Sequence, residues 1–488
     1  MTTTRADAAP TGEHTRVALV TLGCARNDVD SEELAGRLTA DGWQLVEDPS
    51  QADAIVVNTC GFIESAKKDS IDALLAASDL KSSHGVQAVV AVGCFAQRYG
   101  DELAQALPEA DAVLGFDAYP DLGARLRRVV NGERPASHTP SDRRLILPLA
   151  PVERPAVAGD VAIPGHARTS HGGVSEVMRT RLSGGPTAPL KLASGCDRRC
   201  SFCAIPSFRG AFTSREPDEI LAEAAWLVQR GVKEVVLVSE NTTSYGKDIG
   251  GLRKLDSLLR DLTTIDGLAW VRTSYLQPAE TRPELIATIA QTPGVTPYFD
   301  MSFQHASAEV LRRMRRFGST ADFLTLIDKM RVLSPECGIR SNVIVGFPGE
   351  TEADVAELEN FLTQARLDAV GVFGFSPEDG TEAADLPDQI PVEEVARRVE
   401  RVSALVEELV AQRAEDRIGT TVEVLVESIA EGIIEGRSAH QAPEVDGTTR
   451  ILAERKTQGT LAVGDIVVCV VESADGADLV ARVSGSHA

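Results

Sequence analysis

The stretch LKLASGCDRRCSFCAIPSFRG, residues 190–210, runs from a short apolar strand pattern into three cysteines, Cys196, Cys200 and Cys203. The spacing is CxxxCxxC, a triplet and not two pairs. A structural zinc site closes on four ligands, and no obvious fourth stands nearby; His305 is more than a hundred positions downstream. A cubane iron–sulfur cluster takes one thiolate per iron, so three thiolates leave one iron open to another molecule. The competing reading is a zinc knuckle or a set of inert cysteines.

Downstream of this stretch the same pattern repeats. EVVLVSEN, LAWVRTSYLQP, YFDMSFQH, RSNVIVGFPGE and AVGVFGFSP follow LKLAS, with helical patterns such as EPDEILAEAAWLVQRG and TEADVAELENFLTQARL between them. The second of these helices opens with Thr351 and Asp354 in a capping-box arrangement. Six strand–helix alternations over residues 190–417 predict a partial (β/α)6 barrel with its active site at the strand C-termini. The triplet follows the first strand, at that end.

Upstream, RVALVTLGC, ADAIVVNTC and VQAVVAVGC each end an apolar run on a cysteine and precede a helical pattern. Alternating runs of this kind predict a parallel α/β sheet over residues 16–130, with a fourth strand at DAVLG, residues 111–115. Cys24, Cys60 and Cys94 are spaced by 36 and 34 residues, one βα unit each, and should converge on the C-terminal edge, where open α/β sheets bind ligands. Three buried core cysteines are the plainer alternative. Residues 131–189 are rich in Pro, Ala, Gly, Ser and His and read as a linker or insertion, partly disordered. Residues 1–15 read as a disordered polar tail without the apolar core of a signal peptide. Residues 418–488 hold five short strand patterns separated by Gly and Asp, which predicts a small five-stranded β-barrel.

The totals agree with this division. A length of 488 residues suggests about three domains. The longest nearly apolar run, VQAVVAVGCFA, is about half of a membrane span, so a cytoplasmic protein with no membrane contact is expected. Eight cysteines in a reducing compartment point to metal before disulfides. A net charge of −23, from 49 basic and 72 acidic residues, opposes loose nucleic-acid binding and favours a basic partner. Cys337 and Cys469 stand alone and read as structural.

The triplet after a first barrel strand resembles that of the radical S-adenosylmethionine enzymes. TLGCARNDVDSE, VNTCGFIESA and VGCFAQRY resemble the N-terminal domain of one branch of them, the methylthiotransferases. The resemblance spans nearly the whole chain, including a TRAM-like C-terminal domain. It implies S-adenosylmethionine and two 4Fe–4S clusters as cofactors. By that resemblance Cys196, Cys200 and Cys203 ligate the radical-generating cluster, and Cys24, Cys60 and Cys94 ligate an auxiliary, sulfur-donating cluster. In the family one S-adenosylmethionine methylates a sulfur carried on the second cluster. Another supplies the radical that activates a C–H bond, and the methylthio group passes to that carbon. A reducing partner of flavodoxin or ferredoxin type is implied, and no catalytic side chain beyond the ligands. Phe202, between two ligands, either packs on the adenine of the cofactor or belongs to the core. Gly346, in VIVGFPGE, either admits close approach of the cofactor or makes a strand-end turn. Gln304 and His305 fall at the same rim, with a structural role expected for His305. Glu240-Asn241 stand where the family usually has Gln-Asp.

Two substrates divide the family: an isopentenylated adenosine of transfer RNA, and the β-carbon of an aspartate in small-subunit ribosomal protein S-twelve. RSAHQAPEVDG, residues 437–447, CAIPSFRG and TTSYGKD resemble the protein-modifying group, although residues 437–447 also read as a hairpin loop turning at Asp446-Gly447. From residue 420 onward the tail has eleven acidic against five basic residues and no Phe, Tyr or Trp. An RNA-binding barrel should be basic and aromatic, whereas an acidic one suits a basic ribosomal protein or the ribosome. LRRMRRFGS gathers Arg312, Arg313, Arg315 and Arg316, which reads equally as a phosphate contact or a solvated helix face.

Overall fold

A computed structural model describes residues 15–145, 162–164, 179–251, 253–443, 445–453 and 461–484. The chain divides into two compact units, Met1–Ser141 with Asp160–Leu182, and Asp142–Gly159 with Ser183–Ala488.

In the first unit, β1 (Arg16–Thr21), β2 (Gln44–Leu45), β3 (Ala54–Thr59), β4 (Ala88–Val92) and β5 (Ala112–Val113) form one parallel sheet in the order β2-β1-β3-β4-β5. Four helices follow the strands: α1 (Ala25–Ala40), α2 (Glu64–Ser83), α3 (Gly93–Ala106) and α4 (Leu122–Val130). β3 and β4 are buried along their whole length, which is why they read as unbroken apolar runs. The order reverses between β1 and β3, the switch point at which such sheets open a crevice beyond their C-terminal ends. The two-residue β2 carries too short a pattern to be expected from sequence. Residues 131–141, expected to begin a linker, belong to this unit. Ser137 and Thr139 hydroxyls bond Asp101 at 2.6 and 2.9 Å, and the His138 amide donates to Val113 at 3.0 Å. Residues 179–182 are stapled to α1, where the Glu32 carboxylate accepts from Arg179 at 2.5 Å and from the Leu182 amide at 3.1 Å. The expected disorder of residues 1–14, 146–161 and 165–178 lies outside the described residues.

In the second unit, the six expected barrel strands are β6 (Thr187–Lys191), β9 (Glu234–Val238), β10 (Trp270–Thr273), β11 (Tyr298–Gln304), β12 (Gly338–Val345) and β13 (Ala369–Gly374). A two-residue ladder, β7 (Ala193–Ser194) with β8 (Thr213–Ser214), intervenes. The six run parallel in two sheets, β6-β9-β10 and β11-β12-β13, joined at β10 and β11 by isolated bridges at Val271 with Val295 and Leu276 with Met301. Along each strand one set of residues, such as Leu190, Leu237, Phe299 and Val343, packs under the helices. The alternate set, including Lys191, Glu234, Arg272 and Asp300, falls on the opposite face and is also buried. The capping box at Thr351 and Asp354 is formed.

β14 (Thr421–Ala430), β15 (Ile433–Ser438), β16 (Thr449–Leu452), β17 (Ile466–Asp475) and β18 (Asp478–Val483) close into the expected five-stranded barrel. This barrel docks on the N-terminal ends of the six parallel strands through a charged seam. Glu234, fully buried, accepts from Arg272 at 2.6 Å and from Arg437 at 2.5 Å. Asp446 accepts from the Tyr298 hydroxyl and pairs with Arg340 at 3.3 Å. Asp368 pairs with Arg417 at 2.5 Å and Arg413 at 3.1 Å. Residues 437–447 are thus a docking loop at the base, on the side away from the cysteines. Cys337 lies in the core of the large barrel and Cys469 in that of the small one.

Candidate cluster sites

Cys196, Cys200 and Cys203 occupy the loop that leaves the C-terminal side of β6 and β7. Main-chain bonds set its shape: Cys196 to the Gly210 carbonyl at 3.1 Å, and Cys203 to that of Cys200 at 3.2 Å. A second segment clasps it from outside. The Ser201 amide donates to Met314 at 3.2 Å, its hydroxyl to the Arg313 carbonyl at 2.8 Å, and the Ala383 amide to the Ser201 carbonyl at 2.8 Å. An Arg316 nitrogen donates to Cys200 Sγ at 3.6 Å.

The three thiols of this loop stand close to one another and to a buried carboxylate. Burial pushes the Cys196 thiol far above its usual range, and Cys203, Cys200 and Glu240 beside it push the same way. Three neighbouring thiols are compatible as thiolates only with a metal centre that supplies positive charge. The donor set therefore fits an iron–sulfur cluster. Glu240 is buried and pairs with Arg209 at 3.5 Å, and Asn241 donates to Ser244 at 2.8 Å. The positions that depart from the family pattern are thus both built into the rim. Glu280 collects Lys247 and Ser244, each at 2.7 Å, together with Arg198. Burial works against its charge, but the bonds from Lys247 and Ser244 bring it down to about 2.

The other expected residues take definite places. Phe202 packs against Val310, Met314, Phe347 and Ala383. Gly346 has φ +79, and a Cβ there would stand 2.6 Å from Val395, so the close approach at this glycine comes from the helix Val392–Glu415. Gln304 ends β11 with φ +71 after a register shift. His305 is buried, accepts from the Ser307 amide at 3.0 Å and stands 3.4 Å from Glu350.

Cys24, Cys60 and Cys94 stand at the ends of β1, β3 and β4, the three central strands of the first sheet, on either side of its switch point. Cys24 caps α1 and Cys94 lies in the first turn of α3. Helix N-termini favour thiolate over thiol. Gly23 lets the chain turn there: its φ is +98, and a Cβ would meet Cys60 Cβ and Sγ at 2.9 Å. Asn27, buried, ties the edge together. Its amide nitrogen donates to Leu22 at 2.8 Å and Thr59 at 3.4 Å, its amide oxygen faces Cys94 Sγ at 3.6 Å, and its carbonyl accepts from Asn58 at 3.0 Å. Arg26 donates to Cys24 Sγ at 3.3 Å. Sequence reasoning missed Arg26, Asn27 and Asn58, although all three lie inside the quoted cysteine motifs, and it singled out Arg316 without its contact to Cys200. Among the described residues no cysteine is in a disulfide, and no three His, Cys, Asp or Glu side chains already stand at metal-ligand spacing. The fold supplies three thiols on one loop and three on one sheet edge.

Comparison with known proteins gives the following. Residues 16–115 match an uncharacterized protein family, UPF0004, residues 190–362 the radical SAM superfamily, and residues 418–483 the TRAM domain. A ribosomal protein uS12 methylthiotransferase RimO of Saccharopolyspora erythraea is 61% identical over 96% of both chains. The proteins of that name from Nocardioides sp. and Streptomyces coelicolor are 60% and 59% identical, over 98% and 96% of this chain and 99% and 97% of theirs. Among solved structures, the radical S-adenosylmethionine methyltransferase TsrM from Kitasatospora setae is 14% identical, with a TM-score of 0.51 over 74% of this chain and 73% of its own. That is a likeness of fold.

Proposed function

We infer the working of this chain from the family to which it belongs, the RimO-type ribosomal protein uS12 methylthiotransferases. It is a radical S-adenosylmethionine enzyme and a transferase whose substrate is ribosomal protein uS12. The reaction we propose adds a methylthio group to the β-carbon of one aspartate of that protein, in the cytoplasm. No helix among the described residues is long and apolar enough to cross a membrane.

We assign Cys196, Cys200 and Cys203 to one 4Fe–4S cluster and Cys24, Cys60 and Cys94 to a second. When bound, the first with S-adenosylmethionine would supply radical C–H activation and the second would carry the sulfur. The protein's own part is placement. The Ser201 clasp holds the middle of the triplet loop, and Asn27 holds the three-strand edge in register. Glu280 keeps Arg198 and Lys247 at the rim as fixed charges. Phe202 and Gly346 contact the cofactor only if it reaches their packed side, so we give them the lesser part. A low-potential flavodoxin or ferredoxin would supply electrons. The C-terminal barrel exposes Glu423, Glu431, Glu435, Glu472, Asp475 and Asp478, a surface suited to a basic ribosomal protein.

What supports this reading best is identity near 60% over nearly all of the chain, with both cysteine sets following the C-terminal ends of parallel strands. The test is the intact mass of uS12 from cells with and without the gene, followed by peptide mapping. A methylthio increment on one aspartate, lost on deletion, is expected. An unchanged uS12 with methylthiolated nucleosides missing from transfer RNA would overturn the assignment.

A further inference from the structure

The four arginines of LRRMRRFGS look alike in sequence, but the fold gives them different partners. Arg312 pairs with Glu309 on the surface, Arg315 pairs with Glu382 at 2.7 Å, and Arg313 reaches the Pro348 carbonyl at 3.2 Å. Arg316 turns inward. The chain passes through a left-handed residue at Arg315, φ +55, and the Arg316 amide closes back on the Leu311 carbonyl at 2.7 Å. This returns its guanidinium to the barrel, where one nitrogen donates to the Ser302 carbonyl of β11 and another to Cys200 Sγ at 3.6 Å.

We propose that Arg316 is a positioning residue for the radical-generating cluster, orienting the Cys200 sulfur and favouring the reduced state. The proposal rests on the reading of Cys196, Cys200 and Cys203 as ligands. One observation and two general properties carry it. The anchor on Ser302 is a main-chain atom of a barrel strand, so the guanidinium is held independently of Cys200. An arginine stays protonated inside proteins, so its charge is permanent. Hydrogen bonds to ligand sulfurs and nearby charge set cluster potentials. Reduction adds one electron from the reductant to the cluster, with no bond broken and no proton moved. The added negative charge is stabilised by a cation in a poorly solvated place. The loop itself is gripped by the carbonyls of Arg313 and Met314, which a change of the Arg316 side chain leaves intact.

The test is potentiometric titration of the anaerobically reconstituted full chain, followed by electron paramagnetic resonance, for wild type, Arg316→Gln and Arg316→Lys. Arg316→Gln is expected to reduce the cluster's reduction constant by about tenfold, about 59 mV for one electron. Arg316→Lys keeps the charge without the fork and should lose less of the reduction constant than Arg316→Gln. A wild-type potential in Arg316→Gln at full iron content overturns the proposal. If Arg316→Gln loses one cluster's iron, recovery of that iron in Arg316→Lys supports it, and loss in both overturns it. Cys200→Ala separates the underlying reading: if it keeps the iron of both clusters, the ligand assignment fails whatever Arg316 does.

Discussion

Gly23 is the tightest point of the first unit's cysteine edge. A side chain there must adopt φ +98 and share space with Cys60. Gly23→Ala therefore adds about 1–2 kcal/mol of backbone strain and drives a methyl against a sulfur that has to ligate iron. Iron in the reconstituted protein is expected to drop from about eight to about four per chain, one cubane lost, with sulfide falling in parallel and the radical-generating cluster retained. An iron content unchanged at about eight would show that the edge tolerates the added methyl, whereas a wild-type content of only about four would count against the second cluster. At this scale the sequence reveals positions better than partners. The placing of six cysteines beyond strand ends was legible because each apolar run stops on, or just before, a cysteine. Asn27 and Arg316 were not, because their contacts with Cys94 and Cys200 lie 67 and 116 residues away. Arg316 also turns inward only because of a backbone conformation at Arg315 that no residue pattern announces.

Among the elements, the loop of residues 437–447 departs most from its sequence reading. Gly447 takes a left-handed φ of +84, the turn itself falls at Pro443 and Val445, and Arg437, Asp446 and the buried His440 spend their side chains on the base of the large barrel. Its likeness to the protein-modifying group therefore coincides with a docking seam. Strand existence was legible throughout the six-strand barrel, while the break in the ladder between β10 and β11 was not, since periodicity says nothing about neighbours. The loop makes stability depend on pH. Burial first, then Arg417, holds the His440 pKa well below 6.5, against the pull of Asp368. The unfolded chain takes a proton below about pH 6.5 that the folded chain refuses, so stability falls on acidification by up to about 1.4 kcal/mol per pH unit. Glu234 and Asp368 resist burial because arginines hold their pKa values below 4.5 and 3.8. Their stabilisation is present above those values and is lost in the same direction as pH falls further. Denaturant midpoints measured between about pH 7 and about pH 5 should slope less steeply in His440→Gln than in wild type; parallel lines would remove His440 from the account.

For the whole molecule, the small barrel is a structural part of the large one. A chain ending at Arg417 keeps Glu234, Arg272, Tyr298, Arg340 and Asp368 but loses Arg437, His440 and Asp446, which cover them. Removing one partner of a buried ion pair costs about 3–5 kcal/mol, a large share of the 5–15 kcal/mol typical of a domain. Truncation is therefore expected to lower unfolding stability by at least about 3 kcal/mol or to yield insoluble chain; an unchanged unfolding midpoint would show that the base stands alone. The same seam sets a timetable for the ribosome that makes this protein. Glu234 is synthesised 203 residues before Arg437. At about 5–20 residues per second, roughly 10–40 s separate the carboxylate from its second cation. In the last part of that interval, once β13 has been made, the nascent barrel has its strands but not its floor. Completion of translation, and any chaperone that shields the open end until then, becomes part of how this enzyme acquires its shape.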